Sequence, residues 1–98
     1  QPLTADDSDL PTEYSLSDNY PNPFNPATTI AFAVPETAPV SITIYDLLGR
    51  EVSTLLQEVK NAGRYRVTFD ASGLASGIYF YRIQAGRFTD TKKMMLIR

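Results

Sequence analysis

Apolar residues in this chain recur at every second position in short runs, and each run is closed by Gly, Pro, Asn or Asp. That alternation commits the chain to half-buried strands, because successive side chains of a strand point to opposite faces. Thr28-Thr-Ile-Ala-Phe-Ala-Val34 directs Ile30, Phe32 and Val34 to one side, and Val40-Ser-Ile-Thr-Ile-Tyr-Asp46 does the same with Val40, Ile42 and Ile44. Arg64-Tyr-Arg-Val-Thr-Phe-Asp70 sets Tyr65, Val67 and Phe69 against Arg64, Arg66 and Thr68. Gly77-Ile-Tyr-Phe-Tyr-Arg-Ile-Gln-Ala85 is the densest run of β-branched and aromatic residues, the types that fit a pleated, half-buried surface. Gly86 supplies a turn, and Arg87 to Arg98 reads as the returning strand. Its end, Thr91-Lys-Lys-Met-Met-Leu-Ile-Arg98, puts Met94 and Leu96 on one face and Met95 and Ile97 on the other. One face can join a core. The other is apolar without a structural need to be, and beside two lysines it has the form of a surface meant to be gripped.

The punctuation between runs supports the same reading. Pro35 and Pro39 bracket a turn, Asp46-Leu-Leu-Gly49 has the residues of a short hairpin loop, and Asn61-Ala-Gly63 is another turn. Asp70-Ala-Ser-Gly-Leu-Ala-Ser-Gly77 is a loop into the terminal hairpin. Arg50 to Leu56 is expected to pair back on the preceding strand, although Val52 to Lys60 also has the spacing for a turn or two of helix. About seven short, mostly antiparallel strands predict an all-β fold, an immunoglobulin-like β-sandwich. With neither Cys nor Trp, it is not a domain of the antibody type.

Residues 1–13 are acidic and Pro-containing without periodicity, a linker composition, so a domain boundary is expected there, with the folded unit at 14–98 and a larger cargo in front. The first residue is Gln1, with no methionine, basic stretch or apolar stretch behind it. The chain is therefore expected to be a fragment or processed product whose export signal lies upstream. The net charge of −2 divides unevenly: residues 1–20 carry five acids and no base, residues 21–98 six acids and nine bases. Three of those bases, Lys92, Lys93 and Arg98, crowd the end; a solvated edge that discourages sheet-to-sheet aggregation accounts for them. Tyr20-Pro-Asn-Pro-Phe-Asn-Pro26 can be neither helix nor central strand, because its prolines fix φ and extend the residues before them. It reads as a rigid crossover laying Tyr20 and Phe24 over one end of the core, or else as a recognition surface.

No constellation for chemistry is present. Without histidine the commonest general base and metal ligand is missing, and without cysteine as well the usual zinc sites cannot be assembled. A Ser–Lys pair is not excluded by composition, but no motif supports one. Asp46 and Asp70 each follow a strand directly, where Asp serves as a turn residue rather than as half of a catalytic pair. Asp6-Asp7-Ser8-Asp9 lacks the glycine and distant glutamate of a calcium loop. Gly73, Gly77 and Gly86 are spaced as turns, not as a phosphate loop. The acidic balance is against nucleic acid, despite Arg64, Arg66 and Arg82 on outer faces. The chain is read as a non-enzyme with no cofactor and no membrane insertion. A carbohydrate-binding or spacer module of a secreted glycoside hydrolase is the alternative, with Tyr45 and Tyr79 as the aromatics to test, though sheet-face packing explains both.

Four blocks, in order and across about 80 residues, carry a family resemblance: Tyr20-Pro-Asn-Pro-Phe-Asn-Pro26, Ile44-Tyr-Asp-Leu-Leu-Gly-Arg50, Ser76-Gly-Ile-Tyr-Phe-Tyr-Arg82 and Thr91-Lys-Lys-Met-Met-Leu-Ile-Arg98. Together they resemble the type A C-terminal sorting domain of the type IX secretion system. The middle blocks are also similar to the immunoglobulin-like domain of flagellar hook-capping proteins, which lacks the terminal Lys-Lys-Met pattern. The resemblance implies a non-catalytic signal that directs an attached cargo through the outer membrane of a Gram-negative bacterium. It implies transit through the periplasm, recognition by type IX components, removal by a sortase-like peptidase in the linker before Tyr14, and cell-surface anchoring or release. The recognition candidates it implies are Pro21 and Pro23, then Gly77 and Tyr79, then Lys92, Lys93 and Met94. A strand-addition contact along Thr89–Arg98 is the expected mode of engagement.

Overall fold

Two facing sheets account for nearly all of the described structure. The computed structural model describes residues 10–97. It contains seven strands: β1 (Ser15–Leu16), β2 (Ala27–Val34), β3 (Ala38–Asp46), β4 (Glu51–Lys60), β5 (Gly63–Asp70), β6 (Gly77–Ala85) and β7 (Phe88–Leu96). One sheet has the order β1-β2-β5 and the other β4-β3-β6-β7, with every neighbouring pair antiparallel. This is the β-sandwich expected from the alternation.

The apolar sets read from the sequence form its interior. Ile30, Phe32 and Val34 of β2 meet Val40, Ile42 and Ile44 of β3, with Phe69, Tyr79, Tyr81, Ile83, Met94 and Leu96 completing one core. Burying a side chain of this size contributes about 1.5–3 kcal/mol relative to leaving it in water. A one-residue slip of any strand would turn its whole set outward, so burial also fixes the register. Tyr81 ties the two sheets together: its hydroxyl donates to the Ser17 carbonyl at 2.7 Å. Burial above all pushes its phenol up to about 12.

The segment with helical spacing is a strand. Val52, Leu55 and Leu56 all pack against the core, a spacing that a flat strand cannot present on one face. Register shifts between Ile42 and Thr43 and between Ile44 and Tyr45 resolve the conflict. Thr43 pairs with Thr54 after Ile42 pairs with Leu56, and Tyr45 pairs with Glu51 after Ile44 pairs with Ser53, so Leu55 and Val52 are the extra residues. Each bulge resets the alternation once, and the helical spacing becomes one-sided burial.

Asp46 and Asp70 are turn residues, as their positions suggested. Asp46 Oδ1 accepts from the Leu48 and Arg50 backbone N–H groups, both at 2.9 Å, and the Arg50 backbone contact is the main reason its carboxyl lies below the ordinary range. Gly49, at φ 85°, completes that turn in a conformation side chains rarely adopt. Asp70 accepts from the backbone N–H and the hydroxyl of Ser72, and its carboxyl is lowered for that reason.

Candidate recognition site: the terminal strand and the proline strap

β7 is an edge strand, with β6 on one side only. The alternation along it places Met94 and Leu96 in the core at 1% exposure each, while Met95 and Ile97 stand outside at 41% and 51%. The apolar outer face anticipated from the sequence is therefore present.

Its edge is not bare. Residues 20–26 form a strap that crosses from β2 to β7. At the β2 end, Tyr20 and Thr29 exchange two backbone hydrogen bonds of 2.9 Å. Buried Asn19 donates through Nδ2 to Thr28 Oγ1 at 3.0 Å, and Thr28 Oγ1 donates to the Pro21 carbonyl at 2.9 Å. At the β7 end, Phe24 N–H donates to the Met95 carbonyl and Ile97 N–H donates to the Phe24 carbonyl, both at 2.9 Å. The other outward group of Met95, its N–H, donates to the side-chain carbonyl of Asn22 at 3.0 Å. The strap thus serves as a one-residue parallel strand, extended by an amide side chain that replaces a second backbone carbonyl. The peptide bonds preceding Pro21, Pro23 and Pro26 are cis. Phe24 is buried at 1% exposure with its ring 6.2 Å from that of Phe69, as a crossover lid would be. Tyr20 corrects the expectation: it is 81% exposed and covers no core, because its backbone faces Thr29 and its ring is left outside.

The strap divides the edge in two. Both outward groups of Met95 and the N–H of Ile97 are paired, so Thr89–Arg98 is not one continuous open edge as anticipated; Arg98 lies outside the described residues. By the same alternation Thr89, Thr91 and Lys93 also turn their backbone groups away from β6. Among the described residues these have no backbone partner, although Thr91 N–H donates to Asp90 Oδ1 at 2.9 Å. Upstream of the strap the chain follows β7 in the same direction. Tyr14 stacks on Phe88 at 5.5 Å, Asp18 lies 3.5 Å from the Lys92 ammonium, and Asn22 reaches Met95.

The seven recognition candidates fall into different environments. Pro21, Pro23 and Lys93 are exposed; Lys92 is half-buried and paired with Asp18. Met94 and Tyr79 are cross-strand neighbours inside the sandwich, and the Tyr79 hydroxyl donates to the Ala75 carbonyl at 2.7 Å. Gly77 pairs with Leu96 at φ 153°, where open space surrounds the absent Cβ but the backbone itself resists a side chain. Pro23, Lys93 and Met94, from two blocks about 70 positions apart, converge on a shallow recess of about 210 Å³ whose other lining residues are Asn22, Ile78 and Met95. Neither Ile78 nor Asn22 was singled out in the sequence; the pairing of Ile78 with Met95 across β6 and β7 is what brings it there. Lys93, unlike Lys92, has no ion-pair partner among the described residues, and no acid lines the recess. Tyr79 offers no sugar platform, because it faces the core; the outward aromatics of this sheet are Tyr45 and Phe80, with Arg82 5.7 Å over the Tyr45 ring. The acidic run Asp6–Asp9 lies outside the described residues.

The family model described as a secretion system C-terminal sorting domain matches residues 18–97, from the ion pair at Asp18 to the last paired residue of the terminal strand. The chain belongs to this family. It is the one that the four blocks resembled, and the sorting domain is a C-terminal signal for type IX secretion. Export to the outer membrane, the cell surface or the medium follows from that membership. Among solved structures, the sorting domain is similar to a chain from work on PorZ, described as an essential bacterial surface component of the type-IX secretion system of Porphyromonas gingivalis. The match has 25% identity and a TM-score of 0.57, and covers 87% of this chain but only 11% of that one. No curated protein matches.

Proposed function

We propose that the sorting domain carries no reaction of its own and acts as a folded address, held by a type IX component at the open part of the β7 edge. Residues 14–98 form the address and residues 1–13 the linker to a cargo. The cargo reaches the periplasm first and crosses the outer membrane because the address is read. A sortase-like peptidase then cuts before Tyr14, and the cargo is anchored at the surface or released.

The observation that carries this reading is the union of two sequence-distant blocks at one exposed edge. The strap holds Met95 and Ile97 in place, leaving the outward groups of Thr89, Thr91 and Lys93 without a backbone partner among the described residues. Unpaired edge groups beside alternating side chains are what strand addition uses for affinity and for selectivity. Met94 and Tyr79 contribute from inside by fixing the strand, whereas Pro21, Pro23 and Lys93 present the surface. Gly77 sets the start of β6 and so the register of the pair.

The test joins the whole chain to a periplasmic reporter in a host with type IX machinery. The reporter is expected at the cell surface or in the medium, and a version lacking Met94–Arg98 is expected to stay behind. That deletion also removes Met94 and Leu96 from the core, so the point variant Lys93→Pro is run beside it. Proline at 93 removes one outward edge donor and spares the bonds to β6. Export of both altered fusions at the parent level would refute engagement of this edge.

A further inference from the structure

The recess at the strap says what the incoming segment must carry. This step rests on the strand-addition reading above. A strand paired alongside Thr89–Lys93 would run into the strap at Asn22, because Met95 already spends both its outward groups there and Ile97 its N–H. Its residue opposite Lys93 would direct a side chain to the outer face of the sheet, the face that holds Lys93, Ile78 and Met95. Cross-strand neighbours on one face lie about 4.5–5.5 Å apart, near enough for opposite charges to pair. Lys93 is an exposed cation without an ion-pair partner among the described residues, and the recess beside it contains no acid. Lys92, by contrast, is engaged by Asp18. Beyond Lys93 the ladder stops and the outer face becomes apolar, with Pro23, Ile78 and Met95 around a hollow of about 210 Å³, room for one aliphatic or aromatic side chain.

We infer that the partner is an extended protein segment with a carboxylate opposite Lys93 and an apolar side chain that turns into the Pro23–Ile78–Met95 recess where the strap ends the ladder. The carboxylate sets register and selects against cationic edges; the apolar group supplies the buried contact. The strap is then a stop that decides how far along β7 the segment can run.

The whole-chain reporter fusion tests this with four substitutions: Lys93→Glu, Lys93→Arg, Met95→Glu and, as a control on a distant exposed base, Arg87→Glu. Thermal unfolding of each purified chain checks that the fold is kept, as expected for exposed positions. Lys93→Glu and Met95→Glu are each expected to lower the exported fraction about tenfold, from like-charge opposition and from a charge placed in the apolar contact. Lys93→Arg and Arg87→Glu are expected to export at the parent level. If the parent fusion is itself retained, the sorting reading fails and this inference falls with it. If the parent is exported and Lys93→Glu or Met95→Glu follows it undiminished, this inference alone is overturned. Loss of export in Lys93→Arg as severe as in Lys93→Glu would also overturn it, because the carboxylate requires a charge rather than a lysine.

Discussion

The bond between Asn22 and Met95 can be tested on its own, because among the described residues it is the one hydrogen bond of strap to strand made by a side chain. Asn22→Ala removes the acceptor of the Met95 N–H, which donates at 3.0 Å and has no other partner among the described residues. A neutral hydrogen bond of this kind contributes about 1 kcal/mol net. The site is at the rim, so water takes over the freed N–H and no buried-group penalty is added. One kcal/mol is roughly a fivefold change in a local opening equilibrium. Amide hydrogen exchange reads that equilibrium residue by residue. In the parent, Met95 and Ile97 should be protected while Lys93 exchanges quickly, since its N–H also faces outward but meets no strap. In Asn22→Ala, Met95 should exchange about fivefold faster, with Ile97 less affected because it donates to the Phe24 backbone. Lys92, Met94 and Leu96, which face β6, should not change. An Asn22→Ala chain in which Met95 keeps its parent rate would show that the strap is held without this bond, and the account of the divided edge would have to be withdrawn.

Two further substitutions probe the framework around it. Phe24→Ala removes a ring buried at 1% exposure, and should cost about 3–5 kcal/mol of stability in urea unfolding; a loss under about 1 kcal/mol would mean the strap is not part of the core. Tyr81→Phe should change the alkaline limb of stability. The phenol is raised from 10.0 to about 12, so its contribution is intact below pH 10 and is lost as pH rises toward 12. The Phe variant should lack that decline, and a parent and variant with parallel pH profiles would refute it.

Much of this was legible in the residues. Wherever alternation was strict, as in Val40–Ile44 or Ile30–Val34, every residue of the inward set is buried, because period two has one solution on a pleated surface. β4 was harder for a stated reason: Val52, Leu55, Leu56 and Val59 are spaced like a helix face, and only pairing with β3 shows that bulges at Val52 and Leu55 absorb the extra residues. Local periodicity cannot reveal an insertion whose need arises from a neighbouring strand. Phe24 as a lid was foreseeable, an aromatic ring fixed among prolines. Its backbone bonds to Met95 and Ile97 were not, since a bond between positions 73 apart, such as Asn22 to Met95, leaves no local trace. The signal that existed was the pair of asparagines in the strap, whose amides can stand in for peptide groups.

The parallel course of residues 14–24 beside β7 has a mechanical consequence. Tyr14 rests on Phe88 at one end of that strand, and Pro23 and Met95 meet at the other. Seven residue steps of strand separate Phe88 from Met95, on the order of 24 Å. Whatever pulls on the chain ahead of Tyr14 therefore acts at one end of β7, and whatever fills the hollow acts at the other.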